Sequence, residues 1–213
     1  MVSAMDFCDA FTKQWKEDID SSDGHDAILD AYKYETPWTE YMLAGERPFL
    51  RRLLKKLPSS LDGRLMMGRE WYTLDAVYYE EGTCIYRPPK DGGPYPDCLH
   101  VIIEHENAGD VETEMWKLLM FRSPLKVLIF YDYRDDCKKT DEKKEKWLAE
   151  KVSKLFEMGR AVERRWSEAD NVEYLFLVGN RSEEGQIPCW RYLAVKPGGF
   201  KQPPGEDCFQ PLC

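Results

Sequence analysis

An α/β fold, with a mixed central β-sheet flanked by helices, follows from three features of the sequence. Leu99–Glu106 contains Val101, Ile102 and Ile103 without a polar gap, and Leu125–Tyr131 is a second apolar run. Such runs belong to strands buried on both faces. Between them lies a helix-length stretch that Asp110 can cap and that runs to about Phe121, before Pro124. Residues 140–167 then place Leu148, Val152, Leu155, Val162 and Trp166 on one helical stripe, with Gly159 among them. Strand, helix, strand, helix, strand implies helices packed on a mixed sheet.

The elements follow in chain order. A short N-terminal helix leads to a polar stretch, residues 18–26, that reads as a loop. Thr36-Pro37 resembles an N-cap followed by proline at the first helical position, and Gly45 closes that helix. Pro48 opens another: Phe49, Leu50, Leu53, Leu54 and Leu57 keep helical spacing, with Arg51, Arg52, Lys55 and Lys56 on its solvated side. Arg69–Glu80 and Thr83–Arg87 are β-like, which suggests a hairpin through Glu81-Gly82. Pro88–Asp97 is rich in proline and glycine and reads as a loop. Val172–Val178 and Trp190–Val195 are two further strands, and the tail from Pro197 reads as loosely docked. The 213 residues are expected to form one domain, with a core over about 37–131, a helix and two strands over 140–196, and the tail 197–213.

Composition narrows the function classes. Lys and Arg number 30 against 39 Asp and Glu, a net charge of −9, which argues against a protein that coats nucleic acid or anionic membrane non-specifically. A local basic groove could still contact phosphates. The first residues carry Asp6 and Asp9 and have no apolar core, so no signal peptide is expected. The strongest apolar run is strand-length and contains Lys126, so no membrane span and a cytoplasmic location are expected. Seven cysteines without a Cys-x-x-Cys pair read as reduced thiols rather than a zinc site or disulfide scaffold.

The candidate site lies at the end of the first central strand. Residues two apart on a strand share a face, so Glu104 and Glu106 point one way and His105 the other. Two carboxylates ending an apolar strand are costly unless a positive charge joins them, and Mg²⁺ or Mn²⁺ prefers such oxygen ligands. Asp75, inside the apolar stretch Tyr72–Tyr79, is a third acid where a core residue would be expected. Open α/β sheets hold ligands at such strand ends.

Asp75 on one strand and Glu104 on the next after a loop, then a helix and a further strand, resemble the acid and Glu-x-(basic) signature of the PD-(D/E)XK, restriction-endonuclease-like nucleases. The resemblance covers roughly Pro37 to Tyr131. It implies that Asp75 and Glu104 ligate Mg²⁺ beside a scissile phosphate, with the backbone carbonyl of His105 as a further ligand. It also implies metal-assisted phosphodiester hydrolysis of nucleic acid, DNA ahead of RNA. The family's lysine position holds Glu106, which would act as a ligand or general base. A displaced lysine on the following helix is the other family pattern, and Lys117 fits it, on one stripe with Asp110, Glu114 and Phe121. Glu40 matches an accessory glutamate on the first helix. The plainer alternatives are solvated strand-end glutamates, a surface Glu114–Lys117 pair, a packed His105, and a Cys98–His100 nucleophile pair that lacks a third member. A nuclease-fold module that binds protein or nucleic acid without cleaving is the competing function.

Overall fold

The computed structural model describes residues 1–58, 64–71, 73–80, 84–86, 95–96, 99–107, 109–132, 141–165, 171–180, 187–201, 204 and 208–212. Helix α1 (Ala4–Asp20) starts at a capping box: Ser3 Oγ accepts from the Asp6 N–H at 3.1 Å, and Asp6 accepts from the Ser3 N–H at 3.0 Å. Phe7, Phe11, Trp15 and Asp18 make its buried stripe. Helix α2 (Ser22–Tyr32) begins inside the stretch expected to be a loop, separated from α1 by Ser21 alone, whose side chain caps it through the Gly24 N–H. A polar first helical turn is hard to tell from a loop by composition, which accounts for the difference.

Helix α3 (Glu35–Thr39) passes into a π-helical turn, Glu40–Ala44, that ends at Gly45, and α4 (Phe49–Leu54) follows Pro48. Asp18 ties this layer together: although buried, its carboxylate accepts from Gln14, Tyr41 and Arg52.

Where one strand was expected over Arg69–Glu80, there is a hairpin: β1 (Leu65–Trp71) turns into β2 (Leu74–Glu80), and they pair antiparallel. The expected turn at Glu81-Gly82 falls outside the described residues. The strand after it, β3 (Cys84–Tyr86), pairs with β4 (Tyr95–Pro96) in a separate two-stranded sheet rather than with β2. The main sheet continues through β5 (Leu99–Glu106), β6 (Leu125–Tyr131), β7 (Glu173–Gly179), β8 (Trp190–Val195) and β9 (Gln210–Pro211). Its order is β1-β2-β5-β6-β7-β8-β9, with β5, β6 and β7 parallel and the flanking pairs antiparallel. Helix α5 (Val111–Met120) makes the β5–β6 crossover and α6 (Asp141–Glu163) precedes β7.

Alternation along the strands divides the core in two. Val101, Ile103, Val127, Ile129, Leu175 and Leu177 face α1–α4, against Phe7, Phe11, Trp15 and Phe49. Ile102, Leu128, Phe130, Phe176 and Val178 face α5 and α6, against Met115, Leu118 and Leu155. The result is a mixed seven-stranded sheet with helices on both faces. No helix among the described residues is long and apolar enough to cross a membrane.

Two described parts of the tail contact the body of the fold. Phe200 is buried against Gly159, where a Cβ would stand 2.6 Å from its ring, so this helix position needs glycine. Residues Gln210–Pro211 extend the sheet beside β8. The edge pairing and the ring in its notch are long-range contacts that a Pro/Gly-rich composition does not reveal.

Lys126 sits on the α5/α6 side at the start of β6, buried, its ammonium 5.3 Å from the centre of the Tyr174 ring. Burial pushes its pKa down to about 8, against about 10.4 in an unfolded chain. Between those values the unfolded chain binds more protons, so stability rises with pH across that window. Lys126→Met keeps the volume and removes the desolvation cost, and should raise stability at pH 7 by about 1–3 kcal/mol. The gain should shrink as pH approaches 10, when the lysine is neutral in the folded protein. Urea denaturation at the two pH values measures both effects, and an identical gain at each would contradict the buried charge.

Candidate metal centre

The sheet's own geometry builds the site. β2 and β5 stay paired as far as Ala76 and Ile103, and beyond that pair no further ladder partners follow. There the Asp75 carboxylate takes over the role of a strand carbonyl: its Oδ2 accepts the His105 backbone N–H at 2.8 Å. Asp75 lies two residues before Val77, and Glu104 two after Ile102, so strand alternation directs both acids to the α5 side, where Val77 and Ile102 pack. Glu104 is fully buried, and neither of its carboxylate oxygens receives a hydrogen bond.

Helix α5 supplies the rest. Its Val111, Met115, Leu118 and Leu119 are buried, which turns Glu114 and Lys117 towards Glu104. Ligand oxygens of Asp75, Glu104 and Glu114 all lie within 4.8 Å of one another. Lys117 Nζ is 3.5 Å from Glu104 Oε2 and 2.5 Å from Glu114 Oε2. Its side chain is 26% exposed, so the cluster opens to solvent at the lysine while Glu104 lies at its floor.

Electrostatics set the states of these groups. Burial, then the contact with Glu114, then the charges of Asp75 and Glu114 raise the Glu104 pKa far above the carboxylate range; Lys117 offsets this only in part. Burial also raises Asp75, against the opposing effects of the His105 N–H and of Glu104. For Lys117 burial disfavours the ammonium, but Glu114, Glu104 and Asp75 outweigh it and raise its pKa. Three acids with one lysine leave a deficit of positive charge, which a shared proton or a divalent cation can fill.

The donor set suits such a cation. Three carboxylates are hard oxygen ligands, and the 4.8 Å limit on their spacing is close to the span of about 4.2 Å between opposite oxygens around Mg²⁺. Neither buried oxygen of Glu104 has a hydrogen-bond partner, and the Lys117 ammonium at 3.5 Å from Oε2 is the positive charge beside them.

The third acid of the cluster is Glu114, not the expected Glu106. Glu106 Oε1 instead accepts the Gly109 N–H at 2.9 Å, in a tight turn where Gly109 has φ = 100°. That turn draws the carboxylate along the strand axis, which strand parity alone cannot anticipate. The His105 side chain points to the opposite face and meets Tyr131, with Nε2 and the hydroxyl 2.8 Å apart. Glu40 is exposed on the π-helical turn and does not belong to the acidic cluster. His100 lies 3.7 Å from Glu80, and Cys98 is outside the described residues. Glu114 was legible to a degree: it shares a helical stripe with Lys117, so a lysine facing the cleft brings Glu114 with it. The surface pair and the cleft lysine turn out to be the same contact.

No protein-family model and no curated protein matches the chain.

Because the Glu104 pKa is raised on folding, the folded protein without metal binds more protons than the unfolded one at pH values above the ordinary glutamate range of about 4.3. Stability in EDTA should therefore fall as pH rises from 5 to 8. Glu104→Gln should be more stable than wild type in EDTA, by a margin that widens with pH, and should lose any gain from added Mn²⁺. Thermal melts of both proteins across that range check this; parallel curves would count against a buried, strained carboxylate.

Proposed function

We propose that the protein is a metal-dependent nuclease of restriction-endonuclease-like type, hydrolysing phosphodiester bonds of nucleic acid, DNA ahead of RNA. The observation that carries this reading is the convergence of Asp75, Glu104 and Glu114 around a buried carboxylate, with Lys117 alongside. The order of a helical layer, the strands β1, β2 and β5, helix α5 and the parallel strand β6 is the element order of that family and supports the reading.

Asp75, Glu104 and Glu114 would hold Mg²⁺ or Mn²⁺. When bound, such an ion polarises a phosphoryl oxygen and makes water more acidic. The protein's own residues do the rest. The His105 N–H fixes one oxygen of Asp75, so its carboxylate meets the substrate already oriented. Lys117, held by Glu114, would present its ammonium to the negative charge that grows on a phosphate bound beside the cluster. Glu106 is engaged with Gly109 and serves the turn rather than the reaction.

A net charge of −9, and a glutamate at the usual lysine position, favour the competing reading of a binding module that does not cleave. One experiment separates the two. Mixed single- and double-stranded DNA and RNA are incubated with Mg²⁺ or Mn²⁺, beside isothermal titration of Mn²⁺ alone. The nuclease reading expects cation-dependent cleavage. Asp75→Asn should abolish cleavage and weaken Mn²⁺ binding, while Lys117→Met should slow cleavage about 10²–10³-fold and leave Mn²⁺ binding largely intact. Nucleic acid bound without cleavage under every condition would establish the module instead.

A further inference from the structure

We propose that Tyr131 and His105 are positioning residues for the Asp75 carboxylate, acting through a hydrogen-bond chain that crosses the sheet from Trp38. The proposal rests on the reading of Asp75 as a metal ligand, but the chain itself is a matter of geometry.

It begins in the helical layer opposite the site. The Trp38 indole N–H donates to the Tyr131 hydroxyl, and both side chains are buried. An indole nitrogen can only donate, so the hydroxyl oxygen accepts there and its own proton is available to another group. His105 Nε2 lies 2.8 Å from that oxygen, placed to accept a hydrogen bond from the hydroxyl. An Nε2 that accepts there would leave the ring hydrogen on Nδ1. The two rings stand nearly perpendicular, 88° apart, with centroids separated by 5.7 Å, which leaves the imidazole little freedom to turn.

Fixing the His105 side chain on the α1–α4 side has a consequence on the other side. His105 lies past Ile103, the last β5 residue paired to β2, so its N–H has no β2 carbonyl to meet in that ladder. The N–H goes to Asp75 Oδ2 at 2.8 Å. A ring locked against Tyr131 holds the peptide in the orientation that presents this N–H, and strand alternation then keeps Glu104 pointing into the cluster. Asn107 reinforces the arrangement: its Nδ2 donates to Thr39 Oγ1 at 2.7 Å, tying the end of β5 to the same helical layer. Trp38, Tyr131 and His105 touch neither metal nor substrate; they act through Asp75.

The test uses readouts that a general loss of stability would not reproduce. In wild type, long-range ¹⁵N NMR should report His105 Nε2 as an unprotonated acceptor. Tyr131→Phe removes one hydroxyl. It should accelerate hydrogen exchange of the His105 amide about 5–10-fold relative to the Ile103 amide, change the Nε2 signal, and weaken Mn²⁺ binding about 10-fold. Trp38→Phe removes the first donor of the chain but leaves the Tyr131–His105 bond, and should shift the Nε2 signal in the same direction as Tyr131→Phe by a smaller amount, with the His105 amide still protected. His105→Gln, whose carbonyl can accept the same proton, should keep the amide protected, whereas His105→Leu should not; this pair decides the matter if Tyr131→Phe does not fold. Equal acceleration of all β5 amides, or none at His105, would overturn the proposal. Absence of Mn²⁺ binding by wild type would overturn the metal reading alone, because the amide and ring readouts judge the chain without it.

Discussion

Glu104 sets the constraint on which the rest of the site depends. A carboxylate with no exposure, on a strand inside a seven-stranded sheet, is held where water cannot stabilise its charge. The cost of such burial is several kcal/mol unless a proton or cation answers it. Every neighbour can be understood as part of that answer or as an aggravation of it. Asp75 and Glu114 add negative charge close by, and Lys117 returns only one positive charge at 3.5 Å. Folding that gathers three acids in so dry a place works against stability, and sites of that kind are associated with function more than with structure.

The two helical layers contribute differently. The α5/α6 layer brings chemistry to the sheet: the buried face of α5 leaves Glu114 and Lys117 over the strand ends. The α1–α4 layer brings rigidity. Its dense aromatic packing, with Trp15 near Trp38, Phe49 and Trp190, supports Tyr131 and through it His105. Polar anchoring in that layer is provided at Asp18, which meets Gln14, Tyr41 and Arg52. Lys126 shows the contrast within the other layer: a buried cation on the same face as Glu104, near the far end of the strands, with an aromatic ring for company. Opposite charges on one sheet face are thus kept apart, and Lys117 is the ammonium that stands beside the acidic cluster.

The central strands and their parity were legible because a period of two and gapless apolar runs are local properties of the chain. So were α5, the long α6, and the opposite directions in which Glu104 and His105 point. The β1–β2 turn was not, because aromatic and β-branched residues run through Arg69–Glu80 without a strong turn signal, and only pairing to β5 divides them. The start of α2 was hidden by its own polar first turn.

What the sequence determined by itself, then, is the alternation of strands and helices and the presence of acids at strand positions where apolar residues belong. Both follow from side-chain period and from the cost of burying charge. Only the tertiary structure decided which acids meet. Glu106 bends away because Gly109 offers an N–H three residues on, and Glu114 arrives because α5 packs with that stripe towards Glu104. The contact between His105 and Tyr131 spans 26 residues, and that between Trp38 and Tyr131 spans 93. Partners so distant along the chain leave no periodic trace in it; they are chosen by how strands align and helices pack.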